Sequence, residues 1–65
     1  MFGKREINEF ADYAKGVGED GDPAKAAAIY RVLGTAMVRE NGPTDDAVEM
    51  AVEMLRWTNE AQKNR

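Results

Sequence analysis

Apolar residues recur along this chain at intervals of three and four, and nowhere do they alternate with period two over the length of a strand. The pattern predicts three α-helices and no sheet. In the first, roughly Lys4 to Val17, Ile7, Phe10, Ala11, Ala14 and Val17 share one face while Glu6, Glu9, Asp12 and Lys15 lie on the other. Glycines at 16, 18 and 21 make further helix costly, so a loop is expected from Gly16 to Asp22. Asp22 followed by Pro23 then starts a second helix: the carboxylate can accept from first-turn amides, and proline lacks only an N–H that would be unpaired there. That helix runs to about Glu40 and is closed by Asn41-Gly42-Pro43. Thr44 reads as the N-cap of the third, with Asp45 and Asp46 in a first turn whose dipole favours negative charge. The third helix extends to about Gln62, and Lys63-Asn64-Arg65 is expected to fray.

The second turn is only a few residues long, which makes the second and third helices antiparallel neighbours. The expected fold is therefore all-α, a single three-helix domain over residues 1–65 containing an αα-hairpin. Both hairpin helices carry unusually wide apolar arcs. On the third, Met50, Met54, Trp57 and Ala61 run into Ala47, Ala51, Leu55, Val48 and Val52 over roughly 220°. On the second, residues from Ala26 to Val38 cover well over half the circumference. One further helix cannot cover both. Met50, Met54, Trp57 and Ala61 are accordingly the expected interface with a second copy, since methionine adapts to irregular surfaces and tryptophan is enriched at binding hot spots. The same edge could instead be core beneath the first helix. Gly34 sits inside the second helix at a cost of about 1 kcal/mol relative to alanine, which close helix packing against Ala47 and Ala51 would offset.

Residues Tyr30-x-x-Leu33-Gly34-x-x-Met37, then Gly42, then Ala47-x-x-x-Ala51, resemble a single tetratricopeptide repeat, which spaces an aromatic, Leu, Gly, a second aromatic, a turn glycine and a small residue in this way. The resemblance covers the second and third helices and implies a tight hairpin with Gly34 against Ala47. Met37 and Ala51 stand where the family usually has large aromatics. A lone repeat has no neighbours to stack on, so the family's peptide-binding groove is implied only if chains associate.

Length sharpens the expectation of self-association. A 65-residue chain buries only about 60% of the surface its unfolded form exposes, and with no cysteine and no histidine it lacks both disulfides and the usual zinc ligands. Good packing or a partner subunit must supply the stability. The net charge of −3 disfavours bare nucleic acid as a partner, no apolar run approaches the length of a membrane span, and no signal-peptide core follows the first residues. A cytoplasmic chain is expected.

The residue types also limit the chemistry. Without Ser, Cys or His, the remaining threonines, tyrosines and lysines assemble no catalytic constellation, so neither an enzyme nor a cofactor is expected. Asp46, Glu49 and Glu53 share a face of the third helix, but a solvated acidic face explains them without a metal. The expected function is a non-enzymatic protein–protein interaction module, homodimeric and engaging another, unidentified protein. The alternative is a DNA-binding regulator, or an acidic DNA-mimicking inhibitor of a nucleic-acid-binding protein. A regulator is opposed by the acids that would open its recognition helix at Asp45 and Asp46.

Overall fold

Each helix begins, and the first two end, where a side chain or a glycine meets backbone groups that the helix itself leaves unpaired. The computed structural model describes residues 3–63, in which α1 spans Lys4–Glu19, α2 Pro23–Asn41 and α3 Asp45–Lys63. There is no strand among the described residues. Asp22 caps α2 by accepting from the Lys25 amide at 3.2 Å, and Thr44 caps α3 by accepting from the Ala47 amide through Oγ1 at 3.3 Å. The Glu6 carboxylate accepts from the Gly3 amide at the start of α1. α2 stops at Gly42, whose φ of 77° is closed to most side chains and whose N–H donates to the Val38 carbonyl at 2.8 Å. Asn64 and Arg65 lie outside the described residues; of the end expected to fray, Lys63 is described and is helical.

The first helix departs from expectation. It does not yield at Gly16 but continues through Gly18 to Glu19, leaving a connection of only residues 20–22. The stop is Gly21, at φ 105°. The Asp22 N–H donates to the Val17 carbonyl at 3.2 Å and the Gly21 N–H to the Gly18 carbonyl at 3.1 Å, the paired bonds of a Schellman ending. Only the last of the three glycines ends the helix.

α2 is the central element, packing on both of its neighbours and most extensively on α3. The core joins Ala14 of α1, Tyr30, Leu33 and Met37 of α2, and Ala47 and Met50 of α3. Ile7, Ala11, Ile29, Met54 and Trp57 pack around it. Burying a Leu or Met of this group contributes about 1.5–3 kcal/mol. The Tyr30 hydroxyl donates to the Ala11 carbonyl at 3.0 Å, tying α2 to α1 across nineteen residues. At their C-terminal ends α1 and α3 meet where Trp57 slides over Gly18. Further along, a trough of about 520 Å³ lies between them above Tyr30, lined by Ala11 and Lys15 on one side and by Glu49, Val52 and Glu53 on the other.

Candidate interaction surface

The structure places the sequence-predicted interface edge mainly inside the chain's own fold. Met50 is 7% exposed and belongs to the core, while Met54 and Trp57 are half-buried against it. Ala61 is also half-buried. Two glycines make this possible. A Cβ on Gly18 would stand 2.6 Å from the Trp57 ring, so only glycine lets α1 and the indole approach this closely. A Cβ on Gly34 would stand 3.2 Å from the Met50 Cβ and 3.9 Å from the Ala47 carbonyl oxygen, a tight crossing of α2 and α3. Gly34 and Ala47 thus come together as spaced, whereas Ala51 is exposed at the margin of the α2–α3 contact.

The surplus apolar surface lies elsewhere. Between α1 and α2, on the side away from α3, a groove of about 390 Å³ is lined by Phe10, Tyr13, Ile29, Val32, Leu33 and Ala36, with Ala28 and Lys25 at its edge. Val32 is 70% exposed, Tyr13 56% and Phe10 47%. On α3, Val48, Val52 and Leu55 form a second exposed ridge at spacings of four and three, and Val48 and Val52 also border the trough above Tyr30. Phe10 stands at the rim because α1 makes its close contact through the small Ala11, Ala14 and Gly18, which turns the ring away from the centre. A signal for the groove existed in the sequence: counting Tyr13, the apolar arc of α1 spans about 160°, also too wide for a single neighbour.

Polar groups around the core are few and specific. Burial, then the Glu53 and Asp12 carboxylates, push the Tyr30 phenol above its ordinary value, against smaller opposite effects from the Arg56 guanidinium and the Trp57 indole. The Trp57 Nε1–H is itself buried and finds no hydrogen-bond partner among the described residues. Arg56 lies over the indole, 6.0 Å from its centroid, and pairs with Glu53 at 3.5 Å. Glu60 pairs with Lys63 at 3.7 Å, so cations interrupt the acidic side of α3. Among the described residues no three carboxylates converge on a position that could hold a metal ion, and no helix is long and apolar enough to cross a membrane. No protein-family model, curated protein or solved structure matches this chain.

Proposed function

We propose that this chain is a small non-catalytic interaction module of the cytoplasm that works as a homodimer and engages another protein. The observation that supports this reading is the presence of two separate apolar faces on one small domain, the α1–α2 groove and the ridge of α3. Exposed apolar patches of this kind mark interaction sites on soluble domains. Two faces allow one to be used in self-association and the other in holding a partner. A dimer also offsets the thin stability margin of 65 residues without a disulfide. Sedimentation equilibrium tests the first half of the proposal: the mass at about 10 micromolar should be that of two chains, since a nanomolar dimer is saturated there. The unfolding midpoint should rise with protein concentration for the same reason. A single-chain mass at that concentration overturns the homodimer.

A further inference from the structure

We propose that two copies pair through the groove between α1 and α2, related by a two-fold axis running along the helices, so that α1 of each protomer lies antiparallel on α2 of the other. The proposal rests on the homodimer reading and adds the surface, the symmetry and the register.

Area is the first argument. Phe10 and Tyr13 are each about half exposed, which leaves roughly 100 Å² of each ring in water. Together with Val32, Ile29, Ala28 and Ala36 the face offers on the order of 500 Å² per protomer, or ~1,000 Å² for the pair, where specific interfaces begin. The ridge of Val48, Val52 and Leu55 borders the trough above Tyr30, where Lys15, Glu49, Glu53 and Arg56 stand beside it, and a symmetric seam there would have to desolvate those charges. Docking that ridge into the groove of another copy would be a heterologous contact, which propagates rather than stopping at two.

Charge fixes the orientation. On α1, Glu6 and Glu9 stand at the border between the polar side and the groove, one turn before Phe10 and Tyr13 respectively. Glu9 pairs with the exposed Arg5 at 3.5 Å, so this edge sets two carboxylates against one cation. On α2, Lys25 borders the groove, and Arg31 and Arg39 line a shallow depression beside Val32 and Ala36 that Glu40 also borders. The face therefore has an acidic half and a basic half. A two-fold axis across the helices would set α1 on α1 and α2 on α2, opposing like charges. An axis along the helices sets α1 on the partner's α2. Because α1 and α2 run antiparallel within each chain, the Glu6–Glu9 end of α1 then meets the Arg39 end of α2 in the other chain.

Sedimentation of four variants, each checked by circular dichroism for retained helix, tests this arrangement. Val32→Glu places a charge at the centre of the seam at a site that is open in the single chain, and should raise the dissociation constant by on the order of 100-fold or more. Val52→Glu, on the ridge of α3, should leave the mass at two chains. Glu9→Lys and Arg39→Glu should each weaken the dimer about tenfold, and the double reversal should recover most of the loss. A wild-type dimer that survives Val32→Glu, that is split by Val52→Glu, or that the double reversal fails to rescue overturns this arrangement and leaves the homodimer reading standing. A wild-type monomer overturns both.

Discussion

Gly18 decides how α1 and α3 meet, although in the sequence it reads as part of a loop. Its missing side chain is occupied by the Trp57 ring, and a methyl group there would fall within 2.6 Å of aromatic carbon. Gly18→Ala should therefore destabilise by about 1–3 kcal/mol through overpacking, although alanine is the better helix former. Gly16 is the internal control: beyond its own stretch of helix no described atom lies within 4 Å of a Cβ built there, so Gly16→Ala should stabilise by about 0.5–1 kcal/mol. Urea unfolding of the two variants would separate close approach from helix propensity, and equal signs would refute the packing account. Tyr30 gives a second residue-scale prediction. Its phenol titrates above its unfolded value because burial, Glu53 and Asp12 disfavour the anion. The stability that comes from keeping it neutral is fully present below the unfolded pKa of about 10 and is lost as pH rises through the higher folded value. Tyr30→Phe should lower stability at neutral pH by about 0.5–1.5 kcal/mol through loss of the bond to Ala11. It should also flatten the decline above about pH 10, which paired unfolding curves would show.

At the scale of elements, the helix starts were legible because each start signal is local. Asp22 and Thr44 act on amides three residues away, and both bonds are present. Thr44→Ala should cost about 1 kcal/mol, and Thr44→Asp should retain most of that, as thermal melts of the two variants would register. The end of α1 was not legible to the same degree. Gly16, Gly18 and Gly21 are equivalent as letters, yet only Gly21 takes positive φ, and the helix continues through the other two. Helix propensity disfavoured that continuation by about 1 kcal/mol at each glycine. Contact with Trp57 at Gly18 and the paired bonds of the Schellman ending offset the cost. Wide apolar arcs on α2 and α3 correctly signalled more apolar surface than three helices bury, since Val32, Val38, Val48, Val52 and Leu55 all stand in water.

For the whole molecule, the order of three helices and the antiparallel hairpin of α2 and α3 follow from periodicity, caps and a short turn. All of these act over a few residues, so a linear string contains them. What the string did not contain was the rotation of each helix about its own axis. An arc of 220° says that a helix has more than one apolar neighbour, but not which third of the arc faces which. Tertiary packing settled that choice with small residues. Ala11, Ala14 and Gly18 draw α1 onto α2 and over Trp57, while Gly34 draws α3 in at Met50. Those approaches took Met50 into the core, packed Met54 and Trp57 against it, and left Phe10, Tyr13 and Val32 outside. The sequence by itself determined the elements and the excess of apolar surface. Only the tertiary structure decided where the excess lies, because the closest contact distances between helices are set by pairs of residues up to about forty positions apart, such as Gly18 and Trp57.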